Sequence, residues 1–301
     1  MAAPARRCLN SNMIAKPEEH TMTSSTSPMP QRTRAEVEWQ RGGGAAGNPL
    51  PTTNPVVQAI LERLPEDLPA GALVLDLACG TGQPSFVLAR DRPELQVLGV
   101  DVTAALVDKA RLTARENSVR NVRFEVMSMD RLDLADRSVQ AAVSHFGLLQ
   151  EGDVAASGRE LGRVLSPGAP FSLAAFDDMA LNTLMSTIAR TLAGHVPPET
   201  LPDFDYLTQL AAPGLRERVL RESGLEQLHS ELFHWAVPLP SFDLVWQVAS
   251  APVPFARAFA TLDSAGADRV RSELEDAVSR YRTEDGTFVF PMACRLFWGR
   301  R

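Results

Sequence analysis

The sequence predicts an α/β fold built on a mostly parallel, doubly wound sheet, and three observations carry that prediction. Five short apolar runs, centred near residues 75, 98, 124, 142 and 173, alternate with intervals that suit helices. The first run ends in an acid, Asp76, followed by two glycines, Gly80 and Gly82. The second, residues 97–100, ends in another acid, Asp101. Buried parallel strands read as continuous apolar runs, because helices cover both faces of the sheet. Glycines placed directly after such a strand permit backbone angles closed to other residues and let a ligand approach the main chain.

The elements follow in order. Residues 1–34 are rich in Ser, Thr, Pro and Met without periodicity, which is the composition of a tail that does not fold alone. Residues 35–41, with Trp39, suit a short helix, and 42–47 is glycine-rich. The composition changes near Asn48, so the chain divides into a flexible tail, 1–48, and a main domain, 49–301. The first strand and its glycine turn lead into a helix from Gln83, whose free N–H groups point toward whatever occupies the turn. Val122–Val126 reads as the third strand, residues 139–146 as the fourth and 171–176 as the fifth. Residues 179–241 combine helical stretches with Pro197, Pro198, Pro202 and Pro213, as expected of an inserted helical cap. Runs at 232–237 and 287–298 suit two further strands, with Pro291 interrupting the second and suggesting an edge or a bulge there.

Two cofactor classes bind a strand, a glycine turn and a distal acid. A dinucleotide fingerprint requires a third glycine where this chain has Ser85, and an acid at Asp76 receives a pyrophosphate poorly but an ammonium well. The segment from Asp76 through Gly80 to Gly82 resembles the first motif of the class I S-adenosylmethionine-dependent methyltransferases, with Ala78 in the place of that family's first glycine. The stretch 159–168, ending in Pro167-Gly168, resembles the helix and turn before the family's fifth strand. Residues 145–149 and 282–288 resemble a broad branch related to ubiquinone and menaquinone biosynthesis and to tailoring enzymes of secondary metabolism. The resemblance implies a Rossmann-like sheet with an antiparallel C-terminal strand and S-adenosylmethionine as cofactor. It implies cofactor contacts from Asp76, Ala78, Gly80, Thr81, Gly82 and Gln83, from Asp101 at the ribose, from Val102 next to it, from Ser128 and Met129 at the adenine, and from Ser144. Related enzymes often close an N-terminal helix over the cofactor. Trp39 is thus expected either in a lid or on a loosely docked surface helix.

The fourth strand's carboxyl end faces the ligand crevice of open α/β sheets, which brings His145 and Phe146 beside the expected methyl group. His145 is the candidate general base, its alternative being a scaffold histidine. Phe146, Phe204, Tyr206 and Trp246 are candidate walls of an acceptor pocket, although core packing is the ordinary role of each aromatic. His, Cys and acid spacings form no metal-ligand pattern.

Composition narrows the partners. A net charge of −7 disfavours a nucleic-acid phosphate backbone. The 3 cysteines are too scattered for a disulfide framework and suit a reducing cytoplasm. No apolar run is long enough to span a bilayer. With these exclusions, the resemblance implies methyl transfer to a small, partly hydrophobic acceptor through carbon, oxygen or nitrogen, in bacterial secondary metabolism. A related cyclase using the cofactor structurally and a nicotinamide oxidoreductase stay open as alternatives, and so does assembly into a homo-oligomer.

Overall fold

The computed structural model describes residues 54–149, 153–250 and 255–301. The expected tail and the helix containing Trp39 lie outside the described residues. From Asn54 onward the chain folds as α1 (Pro55–Leu61), β1 (Leu73–Leu77), α2 (Gln83–Asp91), β2 (Gln96–Asp101), α3 (Ala104–Glu116), β3 (Val122–Val126) and β4 (Ala141–His145). It continues with α4 (Val154–Val164), β5 (Pro170–Phe176), α5 (Thr183–Leu192), α6 (Phe204–Leu210), α7 (Leu215–Glu222) and β6 (Glu226–Leu239). After these come α8 (Phe242–Ala249), α9 (Ala256–Phe259), α10 (Ser264–Val278) and β7 (Phe288–Arg300).

The seven strands form one sheet in the order β3-β2-β1-β4-β5-β7-β6. The first five pair in parallel, β7 runs antiparallel to β5, and β6 runs antiparallel to β7. This is the expected doubly wound sheet with its reversed C-terminal strand. Because β1 has β2 on one side and β4 on the other, the strand order reverses at β1. Open α/β sheets bind ligands beyond the carboxyl ends of their strands at such a switch point.

Strand alternation sorts the core onto two faces. Leu75, Leu77, Leu98 and Leu173 meet Leu161 of α4 and Leu220 of α7 on one face. Val74, Val97 and Val143 meet Ile60 of α1 and Leu88 of α2 on the other. α3 covers β2 and β3 by packing Val107 and Ala110 with Phe124.

The closing hairpin is longer than the sheet it joins. Phe176, the last residue of β5, pairs with Cys294, while Phe288 to Ala293 continue to pair with β6. A ribbon of six residue pairs therefore projects past the carboxyl end of β5. Leu239, Phe288, Phe290 and Met292 on it are buried against Leu184 and Ile188 of α5, Val245 of α8 and Leu274 of α10. Helices thus flank β6 on both sides in sequence, so the expected cap 179–241 contains a sheet strand and is continued by α8–α10 between β6 and β7.

Two local expectations change. The fourth strand is shorter than 139–146, since Val139 makes only an isolated bridge to Leu165 and Phe146 turns to a φ of 60°. Pro291 marks no bulge: it stays in register with Ala236, and the register shift falls between Glu226 and His229. Its missing N–H is harmless because this stretch of β7 has run beyond β5, and its carbonyl accepts from Thr183 Oγ1 at 2.9 Å.

Candidate active site

The turn after β1 is held from below by Asp76. This residue is fully buried, and its Oδ2 accepts from the backbone N–H of Ser85 at 3.1 Å and from Ser85 Oγ at 2.6 Å. An acid is thereby fixed at the N-terminus of α2, where the exposed amides favour negative charge. Asp76 Oδ1 is buried without a partner. Burial pushes the Asp76 carboxyl up to about 7, against the two Ser85 hydrogen bonds, with nearby Asp101 adding to the rise. Sequence reasoning took Ser85 only as a missing glycine; the structure makes it the anchor of the first acid.

The two glycines of the turn do different work. Gly82, at φ 89°, is the N-cap of α2, and a Cβ there would fall 2.7 Å from the ring of Phe124. Gly80, at φ 53°, has open space where a Cβ would project. Of the two, Gly80 borders open space, and Gly82 serves the packing of Phe86 and Phe124, whose rings lie 5.2 Å apart. Thr81 is half-buried between them, and Gln83 Oε1 accepts from Asn54 Nδ2 at 2.8 Å.

Asp101 links the second strand to this turn. Its Oδ2 accepts from the Gly80 N–H at 2.9 Å and its Oδ1 from the Thr103 N–H at 2.8 Å. Next to it, the side chain of Val102 is 69% exposed, leaving an apolar surface at the crevice. Beyond β3, Ser128 Oγ donates to Asp130 Oδ1 at 2.6 Å, and half-buried Met129 packs against the core.

Ala78 adopts a φ of 54°, the left-handed region in which a side chain carries a steric cost. Its methyl fills space opposite the turn after β4, where a Cβ on Gly147 would come within 2.2 Å of it. The departure from the family's glycine is accommodated by a glycine far away in sequence. Ser144 is fully buried, donating to the Leu77 carbonyl at 2.8 Å and accepting from the Leu148 N–H at 3.0 Å. It ties the ends of β1 and β4 together.

His145 Nε2 is buried without a hydrogen-bond partner, and burial lowers the imidazole to about 4. The ring is therefore neutral near pH 7. Phe146 stacks on Phe176 with centroids 4.2 Å apart and planes 9° from parallel, and Trp235 stands 6.2 Å from it. The other expected wall residues lie in the helical layer. Phe204 meets Phe255 edge-on at 6.2 Å, and Trp246 meets Phe259 at 5.5 Å under the guanidinium of Arg271. Both pack into the cluster that seats the helices on the ribbon, while Tyr206 is 40% exposed. Sequence reasoning also missed Arg216, Asp177 and Arg295 near the ends of β4 and β5, which no local motif announces.

Residues 74–168 match the family model described as a methyltransferase domain. The chain is similar to a demethylmenaquinone methyltransferase of Deinococcus radiodurans, 32% identical over 42% of this chain and 51% of the relative. That is about half the relative's length. A protein named methyltransferase GfsG of Streptomyces halstedii is 27% identical over 63% of this chain and 67% of its own. Among solved structures, phosphoethanolamine N-methyltransferase 2 of Haemonchus contortus with S-adenosylmethionine superposes with a TM-score of 0.53 at 16% identity, over 88% of this chain and 56% of that one. This last likeness concerns the fold alone. Taken with the acid-and-glycine turn after β1 and the reversed last strand, the domain match supports a class I S-adenosylmethionine-dependent methyltransferase domain over residues 74–168.

Proposed function

We propose that this protein transfers a methyl group from S-adenosylmethionine to a small, partly hydrophobic acceptor, as in bacterial secondary metabolism. The observation that carries the reading is the open space above Gly80 at the switch point, bracketed by Asp76 and Asp101. The residues present suit this cofactor. Asp101 retains lone pairs for a ribose diol, and exposed Val102 offers an apolar face to the adenine, with Ser128 and Met129 on its far side. Buried Asp76, with its unpartnered Oδ1, favours a cation over the turn. Thr81 and Gln83 border the same turn. The acid in this position disfavours a pyrophosphate, which argues against a nicotinamide enzyme.

The cofactor supplies an electrophilic methyl on a sulfonium, so the protein's contribution is alignment and exclusion of water. The ribbon and its helices project over the carboxyl edge, and Phe146, Phe176 and Trp235 form an aromatic wall there. His145 can accept a hydrogen bond at Nε2 from an acceptor O–H or N–H, yet an imidazole titrating near 4 holds a proton poorly at neutral pH. This favours acceptors that are nucleophilic without full deprotonation. The net charge of −7 supports a small-molecule acceptor over a nucleic acid.

Calorimetry with S-adenosylmethionine, followed by mass spectrometry of candidate acceptors incubated with methyl-labelled cofactor, tests the reading. Saturable binding and a labelled product are expected. A folded protein that does not bind the cofactor sinks it, and binding with product of unchanged mass would instead favour a cyclase.

A further inference from the structure

One arginine at the carboxyl edge has no part in the reading above. Arg216, in the first turn of α7, is only 2% exposed. Its Nε donates to the Leu149 carbonyl at 3.1 Å and its Nη1 to the Phe176 carbonyl at 2.6 Å. Its Nη2 is buried without a partner. The two carbonyls belong to the loop leaving β4 and to the end of β5, the strand ends on the acceptor side of the crevice.

A guanidinium does not shed its charge in a protein, and a buried charge is ordinarily matched by an opposite one. Asp177, directly after β5, is the nearby buried acid, but its carboxylate is already engaged. Oδ2 accepts from Arg295 Nε at 2.6 Å, and Oδ1 accepts from the Asp178 N–H at 2.8 Å. Two guanidinium groups therefore share one buried carboxylate. The other acid beside them, Glu217, is turned to Ser230 Oγ at 2.8 Å on the water-facing side. Burial lowers Arg216 to about 10, the attraction of Asp177 being partly cancelled by Arg295, as expected of a cation lacking its counter-ion.

A cavity of about 140 Å³ adjoins the pair, lined by Arg216, Glu217, Arg295, Phe297 and the turn from Leu210 to Gly214. We propose that Arg216 and Arg295 bind a carboxylate carried by the methyl acceptor. The proposal rests on the methyl-transfer reading for the word acceptor and on the cluster alone for the carboxylate. The group of Arg216, Arg295 and Asp177 carries one positive charge in excess, which matches a monoanion, and Glu217 on the cavity wall further disfavours a dianionic phosphate. The planar fork of a guanidinium matches the two oxygens of a carboxylate, and the small cavity suits a group of that size. Because Nη2 is shut away from solvent, seating the carboxylate requires the turn at Leu210 to Gly214 to yield.

Sodium benzoate and benzamide, which share a shape and differ in charge, test this by calorimetry on the whole protein. Benzoate is expected to bind at one site, about tenfold or more tighter than benzamide, and phenyl phosphate no tighter than benzoate. Arg295→Gln should weaken benzoate by about tenfold while leaving benzamide unchanged, and Arg216→Lys, which keeps the charge but loses the fork, should also weaken it. If the Arg216 variant does not fold, the partly exposed Arg295 decides the matter. Equal affinity for benzoate and benzamide, or undiminished benzoate binding by Arg295→Gln, overturns the proposal. Separate titration with S-adenosylmethionine keeps the two readings apart: cofactor binding without benzoate discrimination removes the carboxylate site and leaves methyl transfer standing.

Discussion

On the β1–β2 side of the crevice, each acid answers to a group near it in the chain. Asp76 holds Ser85 across 9 positions, and Asp101 holds Thr103 across 2 and Gly80 across 21. On the β4–β5 side the partners come from afar: Arg216 reaches Phe176 across 40 positions and Leu149 across 67, and Arg295 reaches Asp177 across 118. The β1–β2 side is a local backbone cradle, whose geometry is set by two neighbouring strands, one turn and one helix. The β4–β5 side is assembled from residues far apart in the chain, among them Arg295 of the closing hairpin.

Asp101→Ala puts the largest strain on that contrast. If the cradle is local, losing this acid should weaken cofactor binding by about 2–4 kcal/mol, from roughly 1.5–3 kcal/mol per hydrogen bond to a charged group, with little effect on benzoate. Calorimetry with S-adenosylhomocysteine reads the first and benzoate titration the second. An unchanged cofactor dissociation constant would remove Asp101 from the cradle.

Asp76 sharpens the contrast through pH. Its carboxyl rises from 3.8 to about 7 on folding, so between those values the folded chain holds a proton that the unfolded chain does not. The stability this contributes is complete below 3.8 and is lost as pH rises through 7. The cofactor-free protein should lose up to about 2–3 kcal/mol between roughly pH 5 and 7, at about 1.4 kcal/mol per pH unit for one proton. Thermal melts of wild type and Asp76→Asn check it, the variant showing the flatter profile. The ammonium-bearing cofactor should bind more weakly as pH falls below 7 and Asp76 becomes neutral.

Gly147→Ala probes the seam between the two sides. Its methyl would stand 2.2 Å from that of Ala78, and such overpacking costs about 1–3 kcal/mol. The double change with Ala78→Gly should recover most of the loss, since it also relieves the positive φ at residue 78. Chemical denaturation of the four species measures the coupling. Strict additivity would mean that the two turns do not touch energetically.

The smallest effect is expected at His145. As a neutral ring titrating near 4, it should leave single-turnover rates within about threefold when changed to Gln, under 1 kcal/mol in barrier. A fall of about a hundredfold or more, with a rate limb near neutral pH, would restore it as a general base.

The sequence alone determined where the five parallel strands fall along the chain, the acid-and-glycine turn and the acid after β2, while the reversed closing strand followed from the family resemblance. The first three are written in short-range terms: an apolar run, a residue able to take a positive φ, a polar stop. Through Pro291 the sequence left open an edge or a bulge in β7, and only the sheet register decided for the edge. It did not show that Gly82 makes room for Phe124 while Gly80 borders open space, because both glycines have positive φ and only their neighbours differ. Nor did it show that the methyl of Ala78 depends on Gly147, or that the hydroxyl of Ser144 is spent on Leu77 and Leu148. The projection of the cap over the crevice was decided by the tertiary structure, since it follows from β7 being longer than its overlap with β5. The same holds for the group of Arg216, Asp177 and Arg295. No periodicity links these residues in the chain, and their charges meet only because the sheet register brings the end of β5, the middle of β7 and the start of α7 together.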